Sequence, residues 1–288
     1  MTDDFLSLSI EAAERKTTET GDYEDAGRAL LEVSYDGSFY SGWQFQPNHP
    51  TVQGELENTL KRLYRGLSIK TVGSSRTDTG VHALAFAASY LLPEMPSIPV
   101  ERLQTVLNRQ LPSAIRIRSV REVPVSFHVR YDTVGKAYTY LLNRGECTPF
   151  NARYSWPMYR SINVDAIRMA GQHLVGTYDF SSFVVERSQI DNAVRTIYAV
   201  DVQEFGPYVA LTFRGNGFLY KMIRCIVGAL EAVGRGVLAP DDIARIRDAR
   251  DRSAAPETAP ANGLFLMKVF YDFDELMNFS IRKPAFEL

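Results

Sequence analysis

The sequence has few cysteines and histidines. Its 288 residues include two cysteines, Cys147 and Cys225, and four histidines. The cysteines have neither a neighbouring cysteine nor a histidine pair, and His82, His128 and His173 lack metal-ligand spacing, so we expect no metal site. The sequence leaves open whether the two cysteines form a disulfide. Two cysteines in so long a chain more often stay reduced. We therefore expect a cytoplasmic protein.

The chain also lacks the hydrophobic segments that direct proteins into or across membranes. No apolar run approaches the roughly 20 residues that span a bilayer. The amino terminus is acidic and has no basic region followed by an apolar stretch, so we expect neither a secretory signal nor a transit peptide. Hydrophobic residues make up 45% and charged residues 23%, which allows a sizeable core in one large domain or two ordinary ones.

The net charge of −2 is unevenly distributed. Residues 1–26 hold eight acidic and two basic residues, a balance of −6, so the rest of the chain carries +4. We predict that residues 1–26 form a flexible acidic arm. A mildly basic body permits a polyanionic partner, although the charge alone equally allows an ordinary surface beside an acidic tail.

Strand and helix patterns alternate over residues 27–128. Alternation predicts a first strand at residues 29–35. Thr51 is a candidate N-cap for a helix whose apolar face holds Leu56, Leu60, Leu63 and Leu67. A strand at 84–92, a helix at 101–109 and a strand at 115–123 complete one compact α+β half.

A second unit with a similar element order occupies residues 129–288. The pattern predicts strands at 135–142, 196–202, 208–213 and 264–271, helices at 164–175, 218–233 and 240–247, and a mobile stretch at 248–261. We therefore predict an α+β fold of two similar, ferredoxin-like halves. Their antiparallel strands would form one extended sheet with helices on one side and a cleft between the halves, where ligands commonly bind.

The segment 74–83 places a carboxylate, Asp78, in a tight turn in which Gly80 supplies a positive φ. An aspartate in such a turn often caps it. A catalytic carboxylate instead needs a cation nearby to favour its charged form. The candidates are Arg76, in the same segment, and Arg224, on the predicted helix at 218–233, and the spacing leaves both interpretations of Asp78 open.

Tyr138 and Tyr140 alternate along the predicted strand at 135–142. This alternation is typical of a packed core, yet a tyrosine near a reactive carboxylate also suits stacking on a flipped base. The cations Arg130, Lys136 and Arg144 flank these tyrosines and are candidate phosphate contacts.

The triplet Asp78-Thr79-Gly80 also matches that of aspartic proteases. Their mechanism needs two carboxyl groups that share one proton. The chain has one such triplet, so a symmetric dimer would have to supply the second. Charged and polar residues precede this triplet rather than an apolar strand, which argues against a protease.

Eight segments, in order, resemble the TruA-type tRNA pseudouridine synthases. Residues 75–83 are similar to the catalytic motif of that family. The other segments are 35–37 with 42–44, then 51–57, 127–130, 136–140, 175–183, 218–224 and 263–264. The resemblance extends from about residue 29 to residue 272, and eight segments in order are specific where any one is weak.

The resemblance implies an isomerase that converts uridine to pseudouridine at positions 38, 39 and 40 of the tRNA anticodon stem-loop, without cofactor or metal. It implies that Asp78 is the catalytic nucleophile or base and that Arg224 pairs with it. It further implies that Arg76 displaces the target nucleotide and that Tyr138 stacks on the flipped uridine. The family acts as a homodimer whose basic clefts grip tRNA, so we expect tRNA and a second copy as partners.

The sequence departs from the family pattern at several positions. Ser75 stands where bacterial members commonly have glycine, Thr79 where alanine is frequent, and Lys136-Ala137 where some members have an arginine-rich pair. These changes bear on the modified position more than on the chemistry, so a different tRNA position or another RNA stays an alternative. An inactive RNA-binding module is a second alternative. The acidic arm is an addition, and one hypothesis is that it competes with RNA for the basic cleft.

Overall fold

The computed structural model describes residues 27–94, 97–185 and 192–287. The predicted arm at residues 1–26 lies outside these ranges. The strands are β1 (Arg28–Tyr35), β2 (Val72–Gly73), β3 (His82–Leu91), β4 (Ile115–Val123), β5 (Gly135–Asn143), β6 (Trp156–Pro157), β7 (Gly176–Asp179), β8 (Val194–Phe205), β9 (Tyr208–Gly215) and β10 (Leu264–Phe270). The α-helices are α1 (Val52–Leu63), α2 (Val100–Gln110), α3 (Val164–Gln172), α4 (Met222–Gly234), α5 (Asp242–Ala249) and α6 (Phe273–Met277).

All of these strands belong to one sheet. Eight form the path β4-β1-β3-β10-β5-β9-β8-β7, while β2 pairs with β3 and β6 pairs with β5. Neighbours along the path are antiparallel, except that β3 and β10 run parallel at the centre, with His82 opposite Phe265. The α+β class and the extended sheet are therefore confirmed. The last strand joins the strands of the second unit to those of the first, and the division of the chain near residue 128 stays a prediction.

The two faces of the sheet are covered differently. Side chains alternate along β5, so that Tyr138 and Tyr140 enter a large core that includes buried residues of α1 to α5. Leu141 enters a smaller cluster on the opposite face, where it meets Leu276 of α6 and Ala285 near the carboxyl terminus. The five longer helices thus lie on one side, as predicted, and the short α6 covers the other. Among the described residues, no helix combines the length and the hydropathy of a membrane span.

The first helix begins where the sequence predicts and ends earlier. Thr51 Oγ1 accepts a hydrogen bond from the Gly54 amide at 3.2 Å, which caps the helix. The helix ends at Leu63, because Arg65 and Gly66 adopt positive φ angles of 54° and 95°. Leu67, predicted to lie on the apolar face, falls beyond the helix and is 45% exposed.

Two predictions in the second unit are corrected. The predicted helix at 218–233 begins at Met222, because Lys221 has a left-handed φ of 57° that a right-handed helix does not accommodate. The stretch 248–261, predicted to be mobile, packs against α4: Ala259 is 1% exposed, and its amide donates to the Arg224 carbonyl at 3.0 Å.

Candidate active site

Asp78 lies in the turn between β2 and β3. Gly80 has a φ of 79°, a conformation that glycine adopts without steric cost. The Val81 amide donates to the Asp78 carbonyl at 3.1 Å and closes the turn. The turn thus holds Asp78 at the start of β3, in the middle of the sheet, where β3 meets β10.

The loop after β1 supports this turn from behind. Gly42 has a φ of 89°, and a Cβ atom at this position would lie 2.3 Å from the Thr77 carbonyl oxygen. The Trp43 amide donates to the same oxygen at 3.3 Å. The Thr77 hydroxyl also shares a hydrogen bond of 2.8 Å with the Tyr35 hydroxyl. The turn therefore depends on a backbone approach that only glycine at position 42 allows.

Replacing Gly42 with alanine should displace the Asp78 turn and reduce activity. Gly66 is a matched control, since its φ of 95° is similar but no atom lies within 4 Å of a built Cβ. We expect Gly66→Ala to lower the free energy of unfolding by about 1 kcal/mol through backbone strain. Gly42→Ala, which adds a clash, should lower it by about 3 kcal/mol. Chemical denaturation measures both values, and equal losses with full activity would contradict this support of the turn.

Arg224 reaches Asp78 from the first turn of α4. Its Nη1 donates to Asp78 Oδ2 at 2.9 Å, and the two side chains are only 15% and 12% exposed. Its Nε donates to the Ala259 carbonyl at 2.8 Å. The guanidinium thus places a positive charge beside the carboxylate, and the 259 backbone fixes its orientation. Because both charges are largely removed from water, losing either partner is costly.

Tyr138 approaches the same turn from β5. It is 7% exposed, and its ring meets Phe218 edge-on at a centroid distance of 5.4 Å. Burial raises the pKa of Tyr138 to about 12; the Ser75 hydroxyl acts in the opposite direction, and the Asp78 charge adds to the rise. The phenol is therefore uncharged near neutral pH. Tyr138 is thus a core residue that also neighbours Asp78.

Two further residues lie at the site: Arg76, which the sequence predicted, and Tyr140, which it did not. Arg76 is exposed, two residues before Asp78 on the same turn. Tyr140 donates a hydrogen bond to the Pro260 carbonyl at 2.8 Å. Burial raises the pKa of Tyr140, while the Arg224 charge lowers it. The structure thus gathers Asp78, Arg224 and Tyr138, leaves Arg76 at the surface, and adds the 259–260 segment, which sequence reasoning missed.

A polar bridge beneath the turn was also missed. His82, the first residue of β3, is 2% exposed, and its Nδ1 accepts a hydrogen bond from the Gly37 amide at 3.1 Å. Tyr154 donates to Asp36 Oδ2 at 2.8 Å. Burial opposes the charge on Asp36, but the neighbouring His82 ring and hydrogen bonds from Ser38 and Tyr154 hold its pKa well below the usual range. This bridge connects the start of β3 with the loop after β1 and with Tyr154, and it gives His82 a structural role.

Metal and cysteine chemistry is limited in the described part of the chain. No group of three or more His, Cys, Asp or Glu side chains there is arranged to hold a metal ion. Cys147 is exposed, Cys225 is buried, and both are free thiols, so the disulfide that the sequence left open is not formed.

Comparison with known proteins gives a consistent family match. The family model described as tRNA pseudouridine synthase matches residues 32–132 and 170–272. A tRNA pseudouridine synthase A from Exiguobacterium sibiricum is 45% identical over 244 residues, which cover 85% of this chain and 96% of that protein. A protein of the same name from Brevibacillus brevis is 42% identical over 245 residues, 85% of this chain and 99% of that protein.

A solved structure is more distant. The structure described as a Cbf5-Nop10-Gar1 complex aligns with a TM-score of 0.34 at 12% identity, covering 83% of this chain and 58% of the other. At that distance it supports no argument about this chain.

Proposed function

The chain belongs to the tRNA pseudouridine synthase family, and we propose that its targets are uridines 38, 39 and 40 of the anticodon stem-loop, with Asp78 as the catalytic carboxylate. The protein is an isomerase that converts uridine in tRNA to pseudouridine. The observation that carries the assignment of Asp78 is its 2.9 Å ion pair with Arg224 beside Tyr138. The target positions rest on the resemblance of the eight sequence segments and on relatives named tRNA pseudouridine synthase A.

The reaction is a rearrangement within one nucleotide. The N1–C1′ bond breaks, the base turns, and a C5–C1′ bond forms. A proton leaves C5 and N1 gains a proton, so atoms and electrons balance without an external oxidant or reductant. Asp78 acts as nucleophile or base, and three sites of action fit one carboxylate: attack on the sugar, attack on the base, or removal of a sugar proton.

The target base must leave the helical stack before it reacts. Unstacking costs a few kcal/mol. Stacking on Tyr138 would contribute about 1–3 kcal/mol and offset much of this cost. Arg76 is exposed on the turn that carries Asp78, and we assign to it the displacement of the target nucleotide. Each of the four predicted residues thus has its own role. Asp78 performs the chemistry and Arg224 pairs with its charge. Tyr138 stacks on the base and Arg76 displaces the nucleotide.

The competing functions lose support. A protease would require a second carboxyl group beside Asp78, whereas the structure places the Arg224 guanidinium there. An inactive RNA-binding module does not account for a buried ion pair assembled beside a tyrosine. A different target RNA remains the second candidate, because Ser75 and Thr79 depart from the family pattern within the catalytic turn.

Mapping the modified nucleotides tests the proposed target. We expect pseudouridine in unmodified tRNA transcripts that carry their uridine at position 38, 39 or 40, and none in a transcript with cytidine at all three positions. Chemical mapping by reverse transcription reads each position separately. Modification elsewhere in the second transcript would contradict the anticodon-arm proposal. Binding of both transcripts without modification of either would support a binding module.

We also propose a cytoplasmic homodimer whose basic clefts hold tRNA. The family resemblance supports the dimer, and the free thiols are compatible with a reducing compartment. Sedimentation velocity at micromolar concentration measures the assembly, and a persistent monomer would contradict it.

A further inference from the structure

Lys136 connects the catalytic turn to the strand that carries Tyr138. The two residues are separated by one position on β5, so their side chains lie on the same face of the sheet. Their backbone positions are about 6.6 Å apart along the strand. The Lys136 ammonium donates to the Ser74 carbonyl at 2.7 Å, and Ser74 begins the segment that presents Asp78.

The surroundings of Lys136 are positively charged. Burial, with a smaller contribution from the guanidinium groups of Arg130 and Arg195, lowers the pKa of Lys136 to about 7. Arg195 lies at the start of β8, two strands from Lys136, and burial lowers its pKa as well. An anion that entered this cluster would relieve the repulsion among its cations.

A buried hydroxyl belongs to the residue that Lys136 contacts. Ser74 is 0% exposed, and its Oγ has no hydrogen-bond partner among the described residues. Buried polar atoms are nearly always paired, so an orphan of this kind marks a position where a ligand or a water molecule completes the bonding. It lies on the residue whose carbonyl oxygen binds Lys136.

Two other cations suggested by the sequence or the sheet pair with carboxylates. Arg144, a third candidate phosphate contact, lies at the far end of β5 and pairs with Glu204 at 2.8 Å. Lys268 lies on the neighbouring strand β10, opposite Ala137, and its ammonium pairs with Glu275. Arg195 instead donates to backbone carbonyls, those of Asn192 and Val194.

We propose that Lys136, supported by Arg130 and Arg195, binds a phosphate that flanks the target uridine while Tyr138 stacks on its base. The inference rests on the proposed function, since it requires an RNA nucleotide at Asp78. The ammonium then contacts both the RNA backbone and the Ser74 carbonyl, so it positions the nucleotide relative to the catalytic turn. The unpaired RNA strand would then be bound through its phosphate by Lys136 and through its base by Tyr138.

Neutralising single phosphates of the substrate tests this contact. Full-length tRNA is assembled by ligation with one uncharged methylphosphonate, placed 5′ of the target uridine, 3′ of it, or at a remote position in the stem. For the wild-type protein we expect one of the two flanking substitutions to raise KM roughly tenfold, as for loss of one charge-assisted hydrogen bond. The remote substitution should have little effect.

Variants of Lys136 complete a double-mutant cycle. Lys136→Met should raise KM for the all-phosphate tRNA roughly tenfold and reduce the slope of log affinity against log salt by about 0.7–0.9. In Lys136→Met, the flanking methylphosphonate should raise KM by less than about a further twofold, because the contact is already lost. In Lys136→Arg, KM should stay sensitive to the flanking methylphosphonate. Lys268→Met, the matched control, should behave like the wild type. If Lys136→Met fails to fold, Arg195→Gln replaces it in the cycle.

Two outcomes would overturn the proposal. One is that neither flanking methylphosphonate affects the wild-type protein more than the remote one. The other is that Lys136→Met leaves the flanking effect at full size, as a purely structural lysine would. Pseudouridine formation by the wild type at position 38, 39 or 40 of the all-phosphate tRNA is measured alongside, so failure of the proposed function is seen separately.

Discussion

Replacing Asp78 with asparagine is expected to lower kcat/KM for pseudouridine formation by at least about a thousandfold. Asparagine retains the size of the side chain and an oxygen that accepts a hydrogen bond from Arg224 Nη1. It lacks the negative charge that a nucleophile or a base requires. Binding of tRNA should persist, because the cations and Tyr138 stay in place.

Thr79→Ala is the matched control for this substitution. Thr79 is exposed on the same turn, next to Asp78. It departs from the alanine frequent in the family, so we expect near wild-type activity. Steady-state kinetics and tRNA binding are measured for both variants, with circular dichroism to confirm folding. If Thr79→Ala lost as much activity as Asp78→Asn, the effect would come from disruption of the turn rather than from loss of the carboxylate.

Replacing Arg224 with methionine is expected to destabilise the fold as well as abolish activity. The change leaves Asp78, 12% exposed, without its ion-pair partner and leaves the Ala259 carbonyl without its donor. Removing one member of a buried pair costs about 3–5 kcal/mol. Chemical denaturation should show this loss in the free energy of unfolding, because an uncompensated carboxylate is held in a low-dielectric position.

A double variant separates the structural cost from the chemical one. Adding Asp78→Asn to Arg224→Met removes the unpaired charge, so it should restore part of the lost stability while the protein stays inactive. Arg168→Met is the control, since its pair with Asp165 is 44% and 85% exposed and such pairs contribute less than about 1 kcal/mol. A double variant less stable than Arg224→Met alone would show that the ion pair is not the main source of the effect.

Much of the architecture could be predicted from the sequence because local residue patterns determine the strands and helices. The alternation along β5 and the Thr51 cap of α1 both have direct physical meanings, and the structure confirms them. The parallel pairing of β3 with β10 could not be predicted, since it joins residues far apart in the chain and no local pattern encodes it. The start of α4 was misplaced because residues 218–220 continue its apolar spacing, while the left-handed turn at Lys221 uses a residue that does not signal one.

The site was predictable only in part. Local chemistry left Asp78 divided between a turn cap and a catalytic group, and the family resemblance supplied Arg224 and Tyr138 as its neighbours. The supporting contacts of the Thr77, Ala259 and Pro260 carbonyls were missed, because they are made by backbone atoms that side-chain patterns do not report. The segments 42–44 and 263–264, which resemble the family but carry no reactive group, were the available signal for such support.

We propose that Asp78 drives the isomerisation of uridine in the anticodon stem-loop. Single-turnover release of tritium from tRNA labelled at uridine C5 in positions 38–40 tests it most directly, because the C5 hydrogen is lost only when the new glycosidic bond forms. We predict release by the wild-type protein and none above background by Asp78→Asn at saturating enzyme. Equal release by both proteins would contradict the assignment.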